Sequence, residues 1–347
     1  MKTETVGAIY DRRPRSPVFA MLRHTAATER AVEFLRAGET VAVPTETVYG
    51  LAADSLNPLA VAKIFEAKGR PRFDPLIVHL PDREWLERLA DFPPQDRRLI
   101  LELAERFWPG PLTLVLPKRE IVPDIVTAGL KTVAVRISAH PVFAEIVRGF
   151  AKPLAAPSAN RFGRVSPTTA QHVLNELGGR IPLIVDAGPT EHGIESTIIT
   201  IRHGSIDVLR RGPITAEQLS AFAKIDIAAS REKISAPGQL ASHYAPTTPL
   251  RLVEHAKAFS PSLDQRCALL AWNAVEEDKR FVAIRNLSES QDLREAAANL
   301  FRYLHELDAL SVDLIVAEQV PLEGLGAAIM DRLQRASRGL DRPGKPG

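Results

Sequence analysis

Two rhythms of apolar residues run through the chain. In "TERAVEFLRAG" the apolar positions Val32 and Leu35 fall one helical turn apart, with Thr28 placed as N-cap and Gly38 just past the end, which predicts a helix. "NPLAVAKIFEAKG" predicts a second, with Asn57 capping, Pro58 in the first turn and Gly69 at the exit. Two further helical stretches lie on either side of Pro93 and Pro94. Between the helices stand short, almost unbroken apolar runs. These are "TVAV" ahead of Pro44, "PLIVHL", "PLTLVLP", "TVAVRIS", "PLAAPSAN" and "PLIVDAG", the pattern of strands buried on both faces. "STIITI" and "IDVLRRG", joined by a glycine-containing turn, read as an antiparallel edge pair.

Strands interleaved with helices predict an α/β domain with a mixed sheet, ending near residue 223. Residues 224–249 contain "SAPGQLASHYAPTTP", rich in Ser, Pro and Gly, and read as a linker. Beyond it, "LRLV", "CALLAW", "FVAIRNL" and "DLIVAE" alternate with helices over 299–307 and 325–338, a second and smaller α/β unit spanning 250–347. Residues 1–23 carry Arg12, Arg13, Arg15 and Arg23 with little periodicity and are expected to be a loosely ordered extension ahead of a domain at 24–223. A start at Met21 is an equal expectation, and Glu4 and Asp11 argue against a transit peptide.

Charge narrows the partners. The formal net charge of +2 on 347 residues is too small for a general nucleic-acid or membrane surface, so a basic site has to be local. The one cysteine, Cys267, excludes an intrachain disulfide framework and a multi-cysteine metal site, and is expected to be a small buried residue. No apolar run approaches the ~18–20 residues that span a bilayer, and no secretory signal opens the chain, so the expected location is the cytoplasm.

The chemistry gathers at strand ends. The Walker phosphate loop, the G-x-G-x-x-G fingerprint, H-E-x-x-H and G-x-S-x-G are all absent. "PTETVYG" ends a strand in Thr45, Glu46 and Thr47, a set suited equally to turn chemistry or to a crevice. In "KGRPRFDPLIVH" Lys68 and Arg70 lie just beyond a helix C-terminus, where cations complement the dipole, yet Lys63, Lys68, Arg70 and Arg72 crowd ten residues ahead of a buried strand. His79 ends that strand. Arg136 interrupts the apolar run of "TVAVRIS", and a buried guanidinium needs an anion, either a protein carboxylate or that of a substrate. "APSANRFGRVSPT" sets Ser158, Asn160 and Ser166 after a strand, and "ESTIITI" with "VLRRGP" supplies Ser196 and Arg210. Lys68, Arg70, Arg136 and Arg210 at the termini of one sheet, together with Thr47, Ser158, Ser166 and Ser196, point to a polyanion such as a nucleoside triphosphate with Mg²⁺.

Taken in order, "PTETVYGLAAD", "KGRPRFDPLIVH", "FWPGPLTLVL", "TVAVRIS", "APSANRFGRVSPT" and "ESTII" resemble the YrdC-like domain of L-threonylcarbamoyladenylate synthases. "SAPGQLASHYAP" and the small α/β unit resemble the linker and the Rossmann-like C-terminal domain of the two-domain members. The resemblance implies a twisted mixed sheet and a nucleotidyltransferase. L-threonine, bicarbonate or CO₂, and ATP would give threonylcarbamoyl-AMP and pyrophosphate. A separate transferase complex would then use the product to modify the adenosine beside the anticodon of tRNA. It implies that Thr47, His79, Arg136, Ala156 and Ser196 surround threonine. It also implies that Lys68, Arg70, Asp74, Thr132, Ser158, Asn160, Ser166, Arg210 and, from the linker, His243 or Tyr244 surround ATP. Lys68, Arg70 and Arg136 would carry the catalysis, Mg²⁺ would arrive with ATP, and neither a tightly held cofactor nor a protein metal site is expected. The long linker would serve as a lid against water. Asp74 stands where the family usually has asparagine, Ser138 and Ala139 replace a proline-containing turn, and Gln239 takes a methionine position. An RNA-binding module without synthase activity is the competing expectation. A hydrogenase-maturation carbamoyltransferase fits less well, because a single cysteine cannot build its zinc fingers.

Overall fold

The computed structural model describes residues 8–11, 18–21, 24–227, 244–273 and 277–338. They form two compact units. The first draws on Met1–Phe162, Pro167–Glu191 and Glu195–Gln239, and the second on Gly163–Ser166, His192–Ile194 and Leu240–Gly347.

The first unit is built on one twelve-stranded mixed sheet. Its strands in chain order are β1 (Ala8–Asp11), β2 (Val18–Met21), β3 (Val41–Val43), β4 (Gly50–Asp54), β5 (Ile77–His79) and β6 (Leu112–Pro117). β7 (Thr132–Arg136), β8 (Leu154–Ala155), β9 (Leu183–Val185), β10 (Thr197–Arg202), β11 (Ser205–Arg210) and β12 (Ile225–Ile227) complete it. In space the order is β12-β11-β10-β6-β7-β5-β8-β4-β3-β9-β1-β2. β5 and β7 run parallel with His79 opposite Arg136, β6 runs antiparallel to β7, and β10 and β11 form the expected antiparallel pair.

Helices α1 (His24–Arg36), α2 (Pro58–Lys68), α3 (Glu84–Leu89), α4 (Arg97–Phe107), α5 (Asp124–Thr127), α6 (Pro141–Phe150), α7 (Ala170–Leu177) and α8 (Ala216–Ser220) cover the sheet. A large core joins Ile64, Leu103 and Val173 to one face through Val78, Leu114, Val133 and Val135. A second core packs α1 and α6, through Leu35, Phe143 and Ile146, on Val41, Val43 and Leu183. A third, small cluster joins Ile77, Val115, Ala134 and Ile198, the residues that alternate with the large core on β5, β6, β7 and β10. The face on which this cluster lies carries His79 and Arg136.

One expectation is corrected in this unit. α1 begins at His24, a turn earlier than the cap pattern predicts, and the Thr28 hydroxyl instead donates to Glu145 on α6 at 2.7 Å. Within the first 23 residues β1 and β2 pair with each other and, through β1, with β9. Ile9, Tyr10, Val18 and Phe19 are residue types that favour extended backbone.

The second unit holds an all-parallel sheet in the order β13-β16-β14-β15, made of β13 (Leu250–Val253), β14 (Cys267–Ala271), β15 (Phe281–Asn286) and β16 (Leu314–Glu318). Helices α9 (Leu293–Asp308) and α10 (Gly326–Ser337) follow β15 and β16. α9 starts two turns before the sequence reading places it, capped by Asp292, whose side chain accepts from Arg294 N and Glu295 N. Cys267 is buried, and burial pushes its thiol up, aided by Asp313. No helix among the described residues is long and apolar enough to cross a membrane.

Candidate functional site

α2 delivers the first cation. Asn57 accepts from Leu59 N and Ala60 N, Pro58 opens the helix, and Gly69 leaves it at φ +60°, so the cap signals in the sequence have their expected geometry. Lys68, the last helical residue, is only 2% exposed, and its Nζ donates to the carbonyls of Ser158, at 2.6 Å, and of Asn160. Burial and then the neighbouring Arg70 hold its pKa well below the usual lysine range, against the opposing pull of Asp74 and Glu176. Arg70 donates to the carbonyls of Asp74 and Pro75 at 3.2 and 2.9 Å and stands 2.8 Å from Asp74 Oδ2. Asp74 has no exposed surface. Burial raises its pKa, while Arg70, Lys68 and Arg210 act in the opposite direction, so three cations lie within electrostatic reach of this one carboxylate.

A second group surrounds Arg136, 2% exposed at the end of β7. Its Nη2 lies 3.3 Å from Glu46 Oε2 and 3.2 Å from Thr47 Oγ1. Burial lowers the arginine's pKa and the Glu46 charge counteracts this. The Thr45 hydroxyl accepts from Thr47 N and Val48 N at 3.1 and 3.2 Å and donates to Val48 O at 2.6 Å. "PTET" is thus a hydroxyl-braced turn that also supplies Glu46 and Thr47 to Arg136. Ser138 donates to Glu46 Oε2. His79, buried opposite Arg136, meets the Phe143 ring edge-on at 4.9 Å. Burial and then the Arg136 charge keep His79 well below its ordinary pKa, a backbone hydrogen bond at Ala156 opposing, so it is a neutral imidazole at pH 7. Ala156 is itself buried beside Gly50, where an added Cβ would come within 3.3 Å of the Ala156 methyl.

A third group joins these strands. Arg210 donates to the Ser196 carbonyl and hydroxyl, both at 3.0 Å, and Ser196 Oγ is 2.8 Å from Thr113 Oγ1. Alternation puts Arg136, His79, Thr113 and Ser196 on the face of Ala134, Ile77, Val115 and Ile198, and Arg210 pairs directly with Ile198. Thr132 shares this face but stands at the other end of β7, four residues and about 13 Å from Arg136. Asn160 Nδ2 donates to Arg161 O at 2.8 Å.

Four cations were expected to meet around one polyanion, with a protein carboxylate as one candidate partner of Arg136, and the charges are partly balanced by carboxylates. Asp74 lies among Lys68, Arg70 and Arg210, while Glu46 pairs with Arg136. Cations still outnumber carboxylates around Asp74. The buried carboxylates relieve the desolvation that unpaired cations would suffer. Ser166 and Tyr244 belong to the second unit. There His305 Nε2 donates to Ser166 O at 3.1 Å, and Tyr244 stacks on Phe301 at 5.5 Å with the Arg332 guanidinium 5.4 Å from its ring centre. His243 and Gln239, and with them most of the expected lid, lie outside the described residues. Ser138, Thr113 and Phe143 had no assigned role in the sequence reading, and Glu46 appeared there only as one of the strand-end set of Thr45, Glu46 and Thr47. For Thr113 the signal was a polar residue in an otherwise apolar strand. Among the described residues no three His, Cys, Asp or Glu side chains are grouped to hold a metal ion.

Buried cations and hydroxyls gathered at the strand ends of a mixed sheet are the class of site that binds small anionic substrates in an α/β enzyme. Residues 33–212 match the Sua5, YciO and YrdC family model described as telomere recombination, and residues 214–338 match the threonylcarbamoyl-AMP synthase C-terminal domain. Threonylcarbamoyl-AMP synthases of Pyrococcus abyssi and Bacillus subtilis are each 42% identical, over 88% and 89% of this chain and 93% and 92% of theirs. The Schizosaccharomyces pombe enzyme is 34% identical over 90% of this chain and 88% of its own. The crystal structure of P. abyssi Sua5 complexed with L-threonine superposes with a TM-score of 0.80 at 39% identity, covering 89% of this chain and 94% of that one. The chain belongs to the threonylcarbamoyl-AMP synthase family, in its two-domain form.

Proposed function

We infer that this protein makes threonylcarbamoyl-AMP and pyrophosphate from L-threonine, CO₂ or bicarbonate, and ATP, in support of tRNA modification beside the anticodon. The observation that supports the reading is the presence of two buried polar groups, one around Arg136 and one around Asp74. Arg136, His79 and Thr47 suit an amino acid, and the excess cations around Asp74 suit a triphosphate. The threonine amine adds to CO₂, giving a carbamate. A carbamate oxygen then attacks the α-phosphorus of ATP, and the bond to the β-phosphate oxygen breaks as pyrophosphate leaves. Both reactants are anionic, so the chemistry needs positive charge held in place beforehand.

In this reading Arg136 holds the threonine carboxylate, with Thr47, His79, Ala156 and Ser196 completing the pocket. Lys68, Arg70 and Arg210 stabilise the charge that builds on the leaving pyrophosphate. Asp74, Thr132, Ser158 and Asn160 line the rest of the ATP site on the first unit. Mg²⁺ enters as part of the ATP substrate, and no side chain becomes covalently attached. Residues 24–223 act as the catalytic domain, 224–249 as linker and lid, and 250–347 as the C-terminal domain. The enzyme works in the cytoplasm and passes its product to a separate tRNA-modifying transferase. Mass spectrometry of the nucleotide products formed from ATP, bicarbonate and a panel of amino acids tests this. Threonylcarbamoyl-AMP and pyrophosphate should appear with threonine, and ATP breakdown indifferent to the amino acid would defeat the reading.

A further inference from the structure

Three buried polar atoms of the first unit make no hydrogen bond among the described residues and stand within one small region: Glu46 Oε1, Arg136 Nε and His79 Nδ1. Their residues are 3%, 2% and 3% exposed. Glu46 and Arg136 are in contact, and His79 is the cross-strand partner of Arg136. A buried polar atom without a partner is costly in a folded protein, and three together call for one complementary ligand. A guanidinium N–H donates to a carboxylate, a carboxylate oxygen accepts from an ammonium, and a neutral imidazole pairs with a hydroxyl. Those are the three polar groups of threonine.

We propose that Glu46 is the group that receives the α-ammonium of the amino-acid substrate, on Oε1, while Oε2 stays engaged with Ser138 and Arg136. The assignment rests on the synthase reading and adds to it the acceptor for the first proton. Threonine must lose an ammonium proton before nitrogen can attack CO₂. The N–H bond breaks with its electron pair left on nitrogen, an O–H bond forms on Oε1, and the proton returns to solvent during turnover. The same contact makes the pocket select amino acids over the corresponding hydroxy acids, because Glu46 is a buried carboxylate whose free oxygen a neutral hydroxyl satisfies less well than an ammonium.

The experiment titrates the full-length protein and its Glu46→Gln variant calorimetrically with L-threonine and with 2,3-dihydroxybutanoate, in which a hydroxyl replaces the amine. The wild type should prefer threonine by about 10- to 100-fold, the range of a charge-assisted hydrogen bond. Glu46→Gln, which keeps size and an oxygen acceptor, should reduce that preference to less than about threefold. Its threonine-dependent kcat/KM should also rise only at higher pH, toward the ammonium's own pKa. Equal weakening of both ligands, with an unshifted pH profile, would mean that Glu46 only braces Arg136 and would overturn the proposal. Should Glu46→Gln fail to fold, the wild type alone decides: an absent preference for the ammonium overturns the proposal and a tenfold preference upholds it. Wild-type pyrophosphate release that ignores threonine would overturn both this inference and the synthase reading, which separates the two failures.

Discussion

In the proposed reading Asp74, without exposed surface and among three cations, tempers how strongly the ATP site attracts anions. Burial raises its pKa, so between the ordinary carboxylate range and the raised value the native protein binds a proton that the unfolded chain has released. Stability therefore falls as pH rises through that window. Asp74→Asn removes the titrating group. Melting temperatures measured across the acid range should lose this component of their slope, and an unchanged slope would contradict the assignment. The same substitution removes one negative charge beside Lys68, Arg70 and Arg210. The KM for ATP should then fall by about fivefold, the ~1 kcal/mol of a well-screened contact between unit charges.

At the scale of elements, α2 shows what a sequence makes legible. Its cap, its first-turn proline and its exit glycine are all local signals, and all three appear where the residues place them. Because Asn57 acts at the far end of the helix from Lys68, Asn57→Ala should cost about 1 kcal/mol of stability in urea unfolding while kcat changes little. A large loss of kcat with stability intact would mean that the cap does more than hold the helix. β4 shows the opposite case. "GLAAD" is buried at every position, so it has no alternation to announce a strand. The start of α1 was likewise misplaced because the Thr28 hydroxyl answers to Glu145, 117 residues away, and not to its own helix end. Arg136 and Glu46 are 90 residues apart. The sequence could say that Arg136 needed an anion, but its partner appears only when the turn after β3 is laid beside the end of β7. The cations around Asp74 were legible as a set, because Lys68 and Arg70 crowd just ahead of one apolar strand and Arg210 closes another. Asp74 was legible as a negative charge near them, but its place among Lys68, Arg70 and Arg210 together was not.

For the whole molecule, the formal charge of +2 sets the terms on which RNA could bind. Exposed arginines of the first unit are interleaved with acids: Arg97 with Glu87 at 2.7 Å, Arg98 with Glu102 at 2.8 Å, Arg119 with Asp91 at 2.8 Å, and Arg83 with Glu105. Such pairs add little to stability, but they break up the uninterrupted positive field that a phosphate backbone needs. Affinity for RNA that comes from phosphate contacts weakens with salt in proportion to the number of phosphates neutralised. A synthase that hands a small adenylate to another enzyme needs few such contacts, whereas an RNA-binding module needs many. Filter binding of unmodified tRNA at rising salt should give dissociation constants no tighter than about 1 μM at physiological ionic strength, the non-specific range. The plot of log K against log salt should have a slope shallower than about −3, equivalent to roughly four phosphates or fewer. Nanomolar retention with a slope near −6 would instead mean that the local cations form part of an RNA groove, and the +2 total would have concealed it.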